Sequence, residues 1–116
     1  MSPEPSWNPE LDGPIAAPDH HVVLFENDEV RVLQTIVRAG DATPVHTHPK
    51  TVMYVVSGSH FVRRDASGNV LVDTRDEGPS FEMPSVVWSD GIPPHVIENP
   101  SEDDLIVIGV ELKHQG

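Results

Sequence analysis

The segment Gly40-Asp41-Ala42-Thr43-Pro44-Val45-His46-Thr47-His48-Pro49 carries two histidines two residues apart. In an extended strand residues i and i+2 point to the same side, so His46 and His48 can present two imidazoles together. Neutral imidazole is the commonest protein ligand for Zn, Fe, Cu and Ni. A third donor must come from elsewhere in the chain, and His95 is the obvious one. It follows Ile92-Pro93-Pro94, expected to be a stiff turn that starts a strand and fixes the direction of the side chain. Three imidazoles on one side leave coordination positions open for water, dioxygen or a substrate. The alternative for a His-X-His pair is a surface pair or a hydrogen-bonded core pair, and short motifs also match by chance.

Such side chains need a frame, and the chain reads as strands separated by turns. Val22-Val23-Leu24-Phe25, residues 30–37, residues 51–57 and residues 105–112 are rich in β-branched and other apolar residues. Residues 59–64 and 69–74 flank Asp65-Ala66-Ser67-Gly68, a hairpin signal. Val86-Val87-Trp88 and His95 to Glu98 bring the total to about eight short strands. No window of a dozen residues has helical periodicity, and 12 prolines and 8 glycines punctuate the chain too often for long helices. The expectation is an all-β sandwich or barrel around one core.

The chain has 116 residues, one domain's worth. Residues 1–19 contain five prolines and read as an extended Pro-rich N-terminal arm, leaving 20–116 as the barrel domain. Nineteen acidic against seven basic residues give a net charge of −12. That field argues against nucleic acid or a membrane surface as partner. Without cysteine there is no disulfide, thiol nucleophile or thiolate metal site. The N-terminus has no basic region followed by an apolar run, so a soluble cytoplasmic protein is expected. No serine sits in a nucleophile-elbow glycine pattern, and no glycine-rich phosphate loop is present.

Gly40, His46, Thr47 and His48, followed by Tyr54-Val55-Val56-Ser57-Gly58, resemble the first cupin motif. His95-Val96-Ile97-Glu98-Asn99 resembles the end of the second, a histidine and an asparagine separated by three residues. The similarity covers roughly residues 22–112 and is to small single-domain bacterial cupins. It implies a jelly-roll β-barrel with a metal inside on His46, His48 and His95. It further implies a homodimer with a small-molecule ligand or substrate. An open sheet edge, which invites pairing, independently favours the dimer.

Two departures shape the expected chemistry. The cupin motif carries a glutamate where Thr51 stands here, and threonine is a poor ligand for these metals. A three-histidine site has one fewer negative charge, a stronger Lewis acid and one more open position. Alternatively, the lost ligand signals decayed metal affinity. In the second motif the turn before His95 is longer by one residue, since Gly91 lies four positions ahead. The resemblance implies a divalent transition metal, Fe(II) first, with Zn, Mn, Ni or Cu as alternatives. The leading reading is a dioxygenase acting on a small organic substrate. A non-catalytic binding or sensing protein and a metal-dependent isomerase or lyase are the other two.

Four residues are expected at the substrate pocket: Thr51, Met53, Phe61 and Trp88. Phe61 and Trp88 could instead be ordinary packing residues, and Met53 and Tyr54 alternate, so at most one of them faces inward. His60, just after Gly58, could be a pocket acid or base or a further ligand if strand alternation turns it inward. His20, His21 and His114 are expected to be solvated, as is the acidic run Glu102-Asp103-Asp104. Arg63-Arg64 is a rare basic pair; one could anchor a substrate carboxylate, while pairing with surface acids is the simpler expectation.

Overall fold

The computed structural model describes residues 8–77 and 85–113. Nine strands are found among them: β1 (His21–Glu26), β2 (Val30–Val37), β3 (His46–His48), β4 (Thr51–Ser57), β5 (Val62–Asp65), β6 (Val70–Asp73), β7 (Ser85–Ser89), β8 (Ile92–Glu98) and β9 (Leu105–Leu112). They form a five-stranded sheet in the order β1-β2-β9-β4-β7 and a four-stranded sheet in the order β3-β8-β5-β6. All strand pairs are antiparallel. The all-β architecture expected from the sequence is therefore the observed one.

Residue type explains the placement. β9 is paired on both sides, and its run Leu105-Ile106-Val107-Ile108 suits a central strand. Leu33 and Val37 on β2, Ile92 on β8 and Leu105 on β9 are buried between the sheets, and Val62 is buried on the other face of β5. The expected hairpin is present. Asp65 Oδ1 accepts from the backbone N–H groups of Ser67 and Asn69, and Gly68 supplies a φ of 93°. Gly58 ends β4 at a φ of 133°, where a Cβ would lie 2.8 Å from Leu105 Cδ1.

The two motifs are tied together by Asn99. Its side-chain Nδ2 donates to the carbonyls of Val37 and Asp103, and its Oδ1 accepts from Ser101. Its backbone exchanges hydrogen bonds with Gly40 and Asp41. Asn99 is 1% exposed with every side-chain polar atom satisfied, so its role is to hold the frame.

Three expectations about the elements are corrected. Over residues 8–19 the chain is not an extended arm. It forms a 3-10 turn (Pro9–Leu11) and a single helical turn α1 (Gly13–Ala16), and it seats Ala17 at zero exposure. Residues 1–7 lie outside the described residues. The prolines before His95 do not form a turn either, because Pro93 and Pro94 lie within β8. They are tolerated because β5 pairs with β8 only from His95 onward, and the β3–β8 register slips between His46 and His48. Finally, β5 starts at Val62, so strand alternation does not extend back to His60.

Candidate metal centre

Four imidazoles converge at one end of the space between the sheets. His46 and His95 are directly opposed on β3 and β8, with ring centroids 4.3 Å apart. His48 lies 4.9 Å from His46 and 5.7 Å from His95. His21, at the start of β1, is 4.9 Å from His46 and 5.1 Å from His48. The ligand atoms of His21, His46 and His48 all lie within 4.8 Å of one another, a group that could hold a metal ion. The residues expected to act together, His46, His48 and His95, are thus brought into one cluster, and His21 joins them. The tightest trio contains His21 in place of His95.

The outer nitrogen of each ring is committed. Nδ1–H of His46 donates to the Pro44 carbonyl at 2.8 Å, and that of His95 to the Pro93 carbonyl at 2.8 Å. Nδ1–H of His21 donates to the Ala17 carbonyl at 3.0 Å. A carbonyl only accepts, so Nδ1 carries the proton in each of these, and the neutral ring's Nε2 keeps its lone pair. His48 Nδ1–H donates to Glu111 Oε2 at 2.8 Å. This outer-nitrogen pattern orients metal-ligating histidines. The donor set therefore fits a divalent transition metal, and one further observation supports the fit. His21 Nε2 is a buried polar atom with no hydrogen-bond partner, a state that costs free energy unless something binds there.

Glu111 belongs to a buried network. Its Oε1 accepts from Arg31 Nε at 2.7 Å, and Arg31 Nη1 and Nη2 donate to the two carboxylate oxygens of Asp12 at 2.8 Å each. Asp12 precedes α1 and bridges to Thr47 on β3. The chain Asp12–Arg31–Glu111–His48 thus fixes one imidazole through three elements. Gly13, the next residue, packs against the cluster. A Cβ there would lie 2.9 Å from His48 Cε1 and 3.3 Å from His21 Nε2, so the absent side chain keeps that space open.

Burial keeps the rings neutral. Desolvation, the leading cause, pushes His21 down to about 4, His46 to about 3 and His95 to about 2; neighbouring imidazoles add to the shift. Between these folded values and the ordinary value of 6.5 the unfolded chain binds more protons than the folded one. Stability is therefore complete above about 6.5 and falls as pH drops below it. Chelator-treated protein is expected to lose on the order of a few kcal/mol between pH 7 and pH 5. The check is its urea midpoint at the two pH values; an unchanged midpoint would contradict the buried neutral cluster. Asp41, Asp65 and Asp73, all held below the ordinary carboxylate value, contribute in the same direction only under about pH 4.

The imidazoles open onto a cavity of about 310 Å³ between the sheets. His46, His48 and His95 line it, as do Met53, Phe61 and Arg63, in a wall otherwise mostly of Val, Ile and Leu. Of the four expected pocket residues, Met53 and Phe61 line the cavity; Thr51 and Trp88 do not. Met53 and Val87 are cross-strand partners facing in, so the next pair, Val52 and Trp88, faces out, and Trp88 is 50% exposed. Thr51 has the inward parity but lies beyond the cavity, with Oγ1 donating to the Pro49 carbonyl and its methyl against Gly109. His60 is outside the lining, beside Thr74 Oγ1 at 3.2 Å.

His21 corrects the expectation of a solvated side chain, being 5% exposed. Of its neighbours in that expectation, His20 reaches Asp41 Oδ2 at 2.9 Å with an 11% exposed side chain, and His114 lies outside the described residues. Glu111, Arg31 and Asp12 are the residues that sequence reasoning missed. A signal was present: Arg31 and Glu111 are opposite charges inside otherwise apolar strand runs.

No protein-family model matches this sequence, and no curated protein matches it. Solved structures do. A cupin domain from Bordetella pertussis Tohama I superposes with a TM-score of 0.66 at 18% identity, covering 81% of this chain and 92% of that one. An RmlC-like cupin family protein with a double-stranded β-helix fold from Methanocaldococcus jannaschii gives 0.57 at 15% identity, covering 81% and 79%. A predicted oxalate decarboxylase from Thermotoga maritima gives 0.52 at 20% identity, covering 79% and 77%. With two antiparallel sheets and a histidine cluster between them, this chain has the fold of a small single-domain cupin.

Proposed function

We propose that the protein is a divalent-metal cupin enzyme, an oxygenase acting on a small organic substrate held in the cavity. The observation that carries this reading is the convergence of imidazoles whose outer nitrogens are all committed, at the end of an apolar cavity. His21, His46 and His48 would hold the ion, with His95 beside them as a further donor. A bound Fe(II) or related ion would supply Lewis acidity and dioxygen chemistry. The chain's own residues do the rest. Glu111 aims His48, the carbonyls of Ala17, Pro44 and Pro93 aim the other rings, and Met53 and Phe61 shape a wall that excludes water. Among the described residues no carboxylate joins the His21, His46 and His48 group, and an all-imidazole donor set suits iron as well as Zn, Cu or Ni.

Fe(II)-loaded protein is expected to consume dioxygen in proportion to substrate lost across a panel of small aliphatic and aromatic compounds. The measurement is oxygen-electrode uptake paired with product analysis. The same product formed at the same rate under argon would replace the oxygenase by an isomerase or lyase, the class suggested by the Thermotoga maritima neighbour's description.

A further inference from the structure

Arg63 on β5 lines the cavity, and no carboxylate among the described residues pairs with it. Its Nε is a buried polar atom without a hydrogen-bond partner. Partners are not scarce in a chain with 19 acidic residues. Each of the other four arginines is ion-paired: Arg31 with Asp12 and Glu111, Arg38 with Asp104, Arg64 with Glu98 and Arg75 with Asp73. Arg63 lies over the face of Phe61, with its guanidinium carbon 5.8 Å from the ring centroid. A guanidinium does not shed its charge, so burying it unpaired costs free energy that a bound anion would recover.

Register places this charge relative to the imidazoles. Arg63 pairs with Ile97 on β8, and His95 lies two residues from Ile97 on the same face. Arg63 and His95 both line the cavity, on adjacent strands of one sheet. The cavity therefore has a cation on one wall, the histidine cluster beside it, and apolar surface from Phe61, Val72 and Val107 around them.

We propose that the cavity takes a small monocarboxylate, its anionic end paired with Arg63 and its apolar body lying toward the histidine cluster. A single unpaired guanidinium matches one negative charge in a planar, two-oxygen group. A phosphate dianion would be under-neutralised there, and in a protein of net charge −12 it would also meet a repelling field. The inference rests on the reading of this cavity as the substrate site, and it names the substrate class.

The test is calorimetric titration of the purified full-length protein with hexanoate, benzoate and butyrate, each against its neutral amide. At least one acid is expected to bind about tenfold or more tightly than its amide. Arg63→Met should reduce that preference to within about twofold while metal content stays unchanged, whereas Arg64→Met should keep it. Equal affinity for acid and amide in the unaltered protein, or no binding of any acid at about 10 mM, would overturn the proposal whether or not Arg63→Met folds. Preference surviving in Arg63→Met would place the carboxylate elsewhere and overturn it too. These readouts require no turnover. A metal-free protein that still prefers the acid through Arg63 would refute the metal reading and keep this one.

Discussion

Replacement of His46 by alanine is expected to lower transition-metal affinity by about two orders of magnitude or more, leaving the barrel folded. His46 is the hub of the cluster: its ring lies within 5 Å, centroid to centroid, of His21, His48 and His95, at 4.9, 4.9 and 4.3 Å. Disturbing a residue that only orients a ligand costs about 10–100-fold in affinity, so removing a ligand should cost at least as much. The ring is neutral and its Nδ1–H partner is a nearby backbone carbonyl, so truncation strands no buried charge. His46→Gln preserves volume and separates loss of the donor from loss of packing. His60→Ala is the matched control, because His60 lies outside the cavity lining and should leave metal binding as it was. Competition against a chromogenic chelator reads all three. Equal affinity in His46→Ala and the unaltered protein would remove His46 from the site.

The largest effect on stability is expected from Arg31→Met. Arg31 bridges two carboxylates, and Glu111 is almost fully enclosed, with its side chain 3% exposed. Both carboxylates hold the guanidinium's pKa above its ordinary value despite burial. Removing one partner of such a buried network leaves the other charge uncompensated, at a cost of about 3–5 kcal/mol. Glu111 would keep only His48, so metal affinity should also drop by about 10–100-fold. Glu111→Gln gives a useful contrast. It retains shape and an acceptor for His48 Nδ1–H, so its loss of metal affinity should be the smaller of the two. Urea denaturation and the same chelator competition measure both quantities. A midpoint within error of the unaltered protein for Arg31→Met would show that the network carries no net stability.

Much of the fold was legible in the sequence because the evidence for it is local. β-branched runs, the Asp65–Gly68 turn and the absence of a helical period each depend on neighbours in the chain. His46 and His48 were legible for the same reason, being two apart in one strand. His21 was missed although the alternation argument was already in hand. If His20 and His21 point oppositely on a strand, one of them points inward, and strand pairing with Thr35 decides which. Trp88 was misplaced because aromatic character cannot say which face a residue takes. The pairing of Met53 with Val87 settles that, and it appears only in the register.

The carboxylate that serves the site is set by strand pairing. Thr51 stands where the resemblance leads one to expect a ligand glutamate. Glu111 is its cross-strand partner on β9, 60 positions away in sequence. Its charge reaches the site through the outer nitrogen of His48, so it aims a ligand rather than serving as one. No local pattern predicts that exchange, since sequence shows the residue types and not which strands become neighbours. Arg63 illustrates the same limit from the other side. It and Arg64 are adjacent and chemically identical, yet Arg64 is paired with Glu98 and Arg63 faces the cavity.

The most direct measurement is elemental analysis of the full-length protein, purified without chelators and then exposed in turn to Fe(II), Zn(II) and Mn(II) before dialysis. About one transition-metal ion per chain is expected in at least one of these preparations, falling to background in His46→Ala. A chain that retains no more than background metal from any of the three, while remaining folded, would contradict the metal centre outright.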